Sequence, residues 1–347
     1  MNEGRTEIGE LGEFGLIKRM TEGFGLIHPE SRVGIGDDAA VIDSNGQQVV
    51  VSTDMLTEGV HFDLMYTPLK HLGYKAVVTN LSDICAMNAI PKQITVSVAV
   101  SNRFSVEAME ELYAGIRKCC EVYQIDLVGG DTTSTTGGLT ISITAIGLAA
   151  EDQIVKRNTA KDKELIVVSG DLGGAFVGLQ VLEREKEVFK EAPGAQPELD
   201  DFDYILERQL KPEARLDVVR HLKEIGIKPS AMIDVSDGLA SEVLHLATES
   251  GLGSRIHEDK LPIDQQTYDV ARDFNLDPTT CALNGGEDYE LLFTISQDDY
   301  EKLKKDPHFT VIGYMTDQSE GNFLVHRDGS TTLLQAQGWN AFTDEAQ

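Results

Sequence analysis

The sequence predicts two domains, an N-terminal α/β domain over residues 1–150 and a C-terminal α+β domain over residues 151–347. Three observations lead there. The chain has 347 residues, more than one ordinary hydrophobic core organises. Apolar runs with strand character alternate with stretches of helical periodicity. A polar segment of mixed charge, EDQIVKRNTAKDKE at 151–164, separates the two series.

In the first series, Val49–Thr53 is a short β-branched run and reads as a buried strand. Leu69–Ala89 reads as a helix, with Leu72, Ala76, Asn80 and Ile84 along one stripe. Ile94–Val100 alternates as a strand does. Ser105 then caps a helix whose apolar face is Val106, Met109, Leu112, Ile116 and Cys119. Ile125–Val128 and Leu139–Leu148 follow as strands. In the second series, Leu165–Val168 is a buried strand that leads through SGDLGG into a helix. Residues Arg184–Asp203, acidic and with two prolines near the end, read as an exposed loop. Ala231–Asp234 is a strand and Gly238–Ser250 a helix. Tyr289–Ser296 and Thr310–Tyr314 are the last strands.

Composition narrows the function. Fifty-eight acidic against 30 basic residues give a net charge of −28, which repels nucleic acid and anionic lipid. No apolar run is long enough to span a membrane, and the N-terminus lacks a signal or transit pattern, so the cytoplasm is expected. The four cysteines form no C-x-x-C pair and read as reduced core residues.

The chemistry concentrates in acidic residues beside Gly, Ser or Thr. These are Gly36-Asp37-Asp38, Ser52-Thr53-Asp54, Asn80-Leu81-Ser82-Asp83, Gly129-Gly130-Asp131-Thr132-Thr133 and Asp234-Val235-Ser236-Asp237-Gly238. Taken singly, GDD also fits an exposed turn. Asp83 stands inside an apolar helix, where Asp is a poor choice unless something is gained. Five such motifs, expected at strand ends, point towards one acidic site. Hard Mg²⁺ takes carboxylates, water and phosphate oxygens, and the motifs lack the His, Cys and Met that zinc or copper would use. Carboxylates around a nucleoside triphosphate need several divalent ions between them and the phosphates. There is no Walker A sequence, no HRD or DFG set and no EF-hand loop.

These motifs, in this order and spacing, resemble thiamine-monophosphate kinases. The resemblance rests on GIGDDAAV, STD followed by His61, NLSDICAMNAIPK, GGDTT, DVSDGL and GGEDYEL. Gly12-Glu13-Phe14 near the start and Gly338-Trp339 near the end also fit, so it spans about residues 13–342. Several motifs are shared with the aminoimidazole-ribonucleotide synthetase and selenophosphate synthetase superfamily, and GGEDYEL after DVSDGL favours the thiamine branch. The first cysteine, Cys85, lies in a helix, and the chain ends without cysteine. Both features count against the selenophosphate and hydrogenase-maturation relatives. The aminoimidazole-ribonucleotide type of synthetase and a non-catalytic nucleotide-binding homologue remain the alternatives.

The resemblance implies an N-terminal domain that binds ATP and forms a homodimer through its sheet, and a C-terminal domain that contributes to the substrate site. It implies several Mg²⁺ ions on Asp38, Ser52, Thr53, Asp54, Asp83, Asp131, Asp234 and Asp237. ATP would meet Tyr113, Gly130, Asp131, Arg157 and Ser236. Thiamine monophosphate would meet His61, Glu287 and Trp339, with Glu287 facing either the thiazolium or the aminopyrimidine. SGDLGG before its helix could bind phosphate or serve close packing, and stays outside the site. A phosphate acceptor is already largely dianionic at pH 7 because its second pKa is about 6. No general base is therefore expected, and transfer should be direct and in line, without a phosphoenzyme.

Overall fold

The computed structural model describes residue 16 and residues 19–33, 41–194, 196–197 and 199–337. Asp37, Asp38, Gly338 and Trp339 lie outside the described residues. The chain divides into two compact units, residues 1–85 with 89–154, and residues 86–88 with 155–347.

The first unit is built on a four-stranded sheet in the order β3-β6-β4-β5. Its strands are β3 (Gln48–Thr57), β4 (Ile90–Val100), β5 (Asp126–Ser134) and β6 (Thr140–Ala149). β4 and β5 run parallel, and the other pairs are antiparallel. A two-stranded ladder, β1 (Ser31–Val33) with β2 (Val41–Ile42), lies outside this sheet. Helix α1 (Leu69–Ala86) packs on one face, where Ile84 sits so close to Gly147 that a Cβ there would stand 2.3 Å from its Cγ2. Helix α2 (Val106–Tyr123) begins as expected, with Ser105 Oγ accepting from the Ala108 N–H at 3.3 Å. The two helices cross at paired glycines. A Cβ on Gly73 would lie 2.0 Å from the Leu112 carbonyl, and one on Gly115 1.9 Å from the Lys70 carbonyl, so only glycine admits this approach.

The other face of that sheet corrects one expectation. Val49–Thr53 lies inside β3, yet Val49, Val51 and Met55 are exposed at 50%, 58% and 57%. Side chains alternate across a strand, and α1 covers only the side carrying Ser52, Asp54 and Leu56. A β-branched run has the same appearance in sequence whether both faces are covered or only one.

The second unit holds a seven-stranded sheet in the order β13-β12-β9-β11-β7-β10-β8. In chain order these are β7 (Leu165–Ser169), β8 (Ala231–Asp234), β9 (Leu252–His257), β10 (Leu291–Ile295), β11 (Phe309–Asp317), β12 (Asn322–Val325) and β13 (Thr331–Leu333). Only β12 pairs in parallel, with β9. Its helices are α3 (Gly174–Glu191), α4 (Asp203–Leu210), α5 (Leu216–Glu224), α6 (Leu239–Ser250), α7 (Gln265–Asp273), α8 (Pro278–Asn284) and the short α9 (Tyr300–Leu303). Ile166, Val168, Ile233, Leu292 and Ile312 of the sheet bury against Leu239, Val243 and Leu246 of α6. This mixed α/β and α+β organisation is the one the sequence predicts.

Residues Arg184–Glu191 are a second correction, since they continue α3 instead of forming a loop. Their charges are spaced for a helix. Lys186 pairs with Glu183 at 2.9 Å and Lys190 with Glu187 at 2.7 Å, both one turn apart. The four cysteines are buried and unbridged. Among the described residues no helix is long and apolar enough to cross a membrane.

Candidate active site

In the first unit, sheet and helix bring three of the expected residues together. Ser52 and Asp54 point from β3 towards α1. Ser52 Oγ donates to Asp83 Oδ2. The Asp54 N–H donates to Asn80 Oδ1 at 2.9 Å, and Asn80 Nδ2 donates to the Ala76 carbonyl at 3.0 Å. One turn of α1 thus carries both the amide that fixes the β3 backbone and the carboxylate that meets Asp54. Burial, and then the neighbouring charge of Asp83, push the Asp54 carboxyl up to about 6. Two carboxylates held this close in a half-buried place repel each other until a proton or a cation lies between them.

Both motifs are mid-strand, where strand ends were expected: STD lies within β3 and GGDTT within β5. The pleat therefore divides the residues. Thr53 faces away from α1, and its hydroxyl bonds that of Thr144 at 2.7 Å. Asp131 is in register with Ser97, Ser142 and Met55, on the same side as Thr53. Gly130 lies where a Cβ would stand 1.9 Å from the Val96 carbonyl, so β5 approaches β4 there as only glycine permits. Thr132, back on the helix side, bonds the phenol of Tyr113, which burial pushes up to about 12. Tyr113 is also on the wall of a cavity of about 500 Å³ lined by Arg19, Lys70, Arg117 and Lys118.

His61 follows β3 in a tight turn. The Thr57 N–H donates to His61 Nδ1 at 3.0 Å. That bond places the ring proton on Nε2 and makes this nitrogen a donor.

In the second unit, DVSDG and GGEDYEL are stitched together by backbone bonds. The Val235 N–H donates to the Glu290 carbonyl at 2.8 Å, Glu287 N–H to Ser236 at 2.7 Å, and Tyr289 N–H to Val235 at 2.9 Å. The turn bends through left-handed conformations at Gly286, Glu287 and Tyr289, with φ of 71°, 60° and 53°. For the two non-glycine residues this costs conformational energy, which the flanking bonds offset. Asp234 ends β8 and is buried. Asp237 is half-buried, and burial raises its carboxyl, opposed by His245.

The sequence reading missed Glu242. It is 3% exposed and accepts from the Asp237 N–H at 3.2 Å. Burial, with Asp234 and Asp237 nearby, pushes it up to about 8. Its signal was an acid placed one turn into a helix directly behind DVSDG. Arg157 is half-exposed, 4.0 Å from Glu249.

The SGDLGG segment has a protein partner. Asp288, fully buried, accepts from the Gly173 N–H at 2.7 Å and the Ala175 N–H at 3.3 Å at the start of α3. A carboxylate of the chain itself thus fills the place a phosphate would take at that helix end. Glu290 is anchored by Arg208 at 3.0 Å, by Arg215, and by Ser169 Oγ at 2.5 Å.

Ser52, Asp54 and Asp83 offer hydroxyl and carboxylate oxygen, a donor set suited to hard Mg²⁺. Among the described residues, no three His, Cys, Asp or Glu gather closely enough to hold an ion unaided. Magnesium fits such a place when phosphate oxygens and water complete its octahedron.

The comparisons with known proteins agree with this organisation. Residues 36–149 match the model of the AIR synthase related protein N-terminal domain, and residues 163–326 its C-terminal domain. The thiamine-monophosphate kinase of Bacillus subtilis (strain 168) is 35% identical over 338 residues, covering 96% of this chain and 100% of that protein. That of Aquifex aeolicus (strain VF5) is 34% identical, covering 96% and 99%. The structure of AaThiL complexed with AMPPCP and TMP is 31% identical, with a TM-score of 0.73 over 98% of this chain and 100% of that one. The hydrogenase maturation protein HypE in complex with ATP, 19% identical with a TM-score of 0.72 over 92% and 91%, shares the fold. On full-length identity and on both domain models, the chain belongs to the thiamine-monophosphate kinase family of AIR synthase related proteins.

Proposed function

We propose that this protein transfers the γ-phosphoryl group of ATP to the phosphate of thiamine monophosphate, giving thiamine diphosphate and ADP, the last step of thiamine diphosphate synthesis. The observation that carries this reading is end-to-end similarity to proteins named thiamine-monophosphate kinase, including a structure complexed with AMPPCP and TMP. The site chemistry supports it. Acceptor and donor are both anions, and the chain presents carboxylates to them, so divalent cations must lie between. Bound Mg²⁺ would supply the charge neutralisation that lets one phosphate approach another.

The proposed metal residues are Asp38, Ser52, Thr53, Asp54, Asp83, Asp131, Asp234 and Asp237. Ser52 orients Asp83, Asn80 holds the β3 backbone at Asp54, and Glu242 holds the backbone at Asp237. Tyr113, Gly130, Asp131, Arg157 and Ser236 take ATP, with Tyr113 fixed against the GGDTT strand through Thr132. His61 donates from Nε2 to a phosphate oxygen. Glu287 and Trp339 hold the organic part of the acceptor. The acceptor phosphate is itself the nucleophile, so no side chain has to remove a proton, and transfer is in line. The half-exposed row Val49, Val51 and Met55 on an edge strand suits a homodimer that covers it with the same face of a second copy, in the cytoplasm.

An acceptor panel tests the reading. ATP turnover should require thiamine monophosphate and fail with unphosphorylated thiamine. Equal turnover with thiamine would mean the acceptor is a hydroxyl, and the argument from a dianionic nucleophile would collapse.

A further inference from the structure

Helix α4 sets two consecutive side chains on the GGEDYEL turn. Arg208 grips its buried end, with Nη1 3.0 Å from Glu290 Oε1 and Nη2 3.4 Å from the Asp288 carbonyl. Gln209, 6% exposed, donates from Nε2 to Glu287 Oε2 at 2.9 Å. The approach depends on Gly178 of α3, where a Cβ would stand 2.1 Å from the Ile205 carbonyl and 3.1 Å from Gln209 Cβ. The backbone of Glu287 is already fixed, since its N–H is bonded to Ser236 and its φ is left-handed. The Gln209 amide acts further out on the side chain, tying one carboxylate oxygen and so helping to set where the other points.

An amide donor has a chemical consequence as well. It brings no counter-charge to Glu287. An arginine or lysine in its place would form an ion pair and spend the carboxylate's charge inside the protein.

We infer that Gln209 is a positioning residue for the acceptor: it aims the Glu287 carboxylate at the organic part of thiamine monophosphate and sets selectivity for it over smaller phosphate esters. This rests on the reading of Glu287 as an acceptor contact. The side chain of Gln209 itself acts only through Glu287.

The test uses the full chain and steady-state kinetics with both substrates varied. Q209L keeps the volume and removes the donor. Its KM for thiamine monophosphate should rise about tenfold, while its KM for ATP moves less than twofold and its melting temperature stays within a few degrees. Q209E sets a second carboxyl against Glu287. Its KM for thiamine monophosphate, relative to wild type at the same pH, should be highest at pH 8.5. It should recover towards pH 6, as a proton shared between the two carboxyls restores a donor. A role confined to packing would not move with pH in this way. E287Q separates the two levels of the argument. If E287Q raises the acceptor KM but Q209L does not, the positioning role is wrong and the acceptor site stands. If E287Q leaves the acceptor KM unchanged, both are wrong. In the double variant, Q209L should add less than twofold to E287Q. Independent, multiplying effects would overturn the inference.

Discussion

Asp83→Asn separates what the acidic pair does for function from what it costs the fold. Asp54 is held at about 6 instead of 3.8 by burial first and by Asp83 second. That displacement corresponds to about 3 kcal/mol of discrimination against the charged form. Because the folded value is raised, the penalty is absent below about pH 4, grows as pH rises through about 6, and is complete above it. Replacing Asp83 by Asn removes the smaller, charge-derived part, on the order of 1 kcal/mol. It also keeps an oxygen for the Ser52 hydroxyl to bond and offers Asp54 an N–H donor. At pH 8 without metal the variant should therefore melt about 2–4 °C higher than wild type, and the gain should vanish near pH 4. Wild type should gain further stability when Mg²⁺ is added, because an ion that binds only the folded pair shifts the equilibrium towards it. The variant should lose most of that gain, and its turnover should fall at least a hundredfold. Differential scanning fluorimetry at pH 4 and 8, with and without Mg²⁺, beside a turnover assay, reads all of this. A variant that melts lower at pH 8 and still responds to Mg²⁺ would show that Asp83 is a structural residue.

Other consequences can be checked separately. Trp339→Ala should raise the dissociation constant for thiamine monophosphate about tenfold to a hundredfold, since a desolvated cation–π contact is worth roughly 2 kcal/mol. ATP affinity should hardly change, and the fluorescence of this sole tryptophan should respond to thiamine monophosphate far more than to ATP. Val51→Glu together with Met55→Glu should turn a dimer into a 38.0 kDa monomer by light scattering, and a wild type that is already monomeric would refute the proposed interface. His221 bonds Asp306 at 2.5 Å, and that carboxylate raises the imidazole above its usual 6.5. Its contribution to stability is fully present below pH 6.5 and is lost as pH rises through the raised value. His221→Gln should accordingly lower the melting temperature more at pH 6 than at pH 9.

Much of the fold was legible because local chemistry and tertiary role agree. Ala231–Asp234 was read as a short strand, three apolar residues closed by an aspartate, and is β8 to the residue. Ser105 caps α2 because a serine hydroxyl is the cheapest partner for an orphan N–H. Where the reading went astray, one local pattern served two tertiary roles. Val49 and Val51 look the same whether their outer face is covered or bare. The charges of Arg184–Glu191, in the string REKEVFKE, suit a solvated loop and a solvated helix equally until their spacing is counted. The strands β9, β12 and β13 are short and of mixed polarity, and β9 finds its partners β11 and β12 far along the chain.

The site was legible in its acids and opaque in what aims them. Ser52, Asp54 and Asp83 announce themselves as costly residues in apolar settings. Asn80 was visible only as part of NLSD, and its bond to the Asp54 backbone depends on the register of β3 against α1. Gln209 gave no signal, because a glutamine in an amphipathic helix is ordinary and its partner lies 78 residues away. The pleat was equally invisible in the string Ser-Thr-Asp, where it turns Thr53 to the opposite face from its neighbours.

The most direct test of the account is the product balance. Purified protein incubated with ATP, Mg²⁺ and thiamine monophosphate should yield one thiamine diphosphate for each ADP, with no free phosphate, followed by ³¹P NMR. Release of inorganic phosphate with ADP and no thiamine diphosphate, or no turnover at all under these conditions, would contradict it.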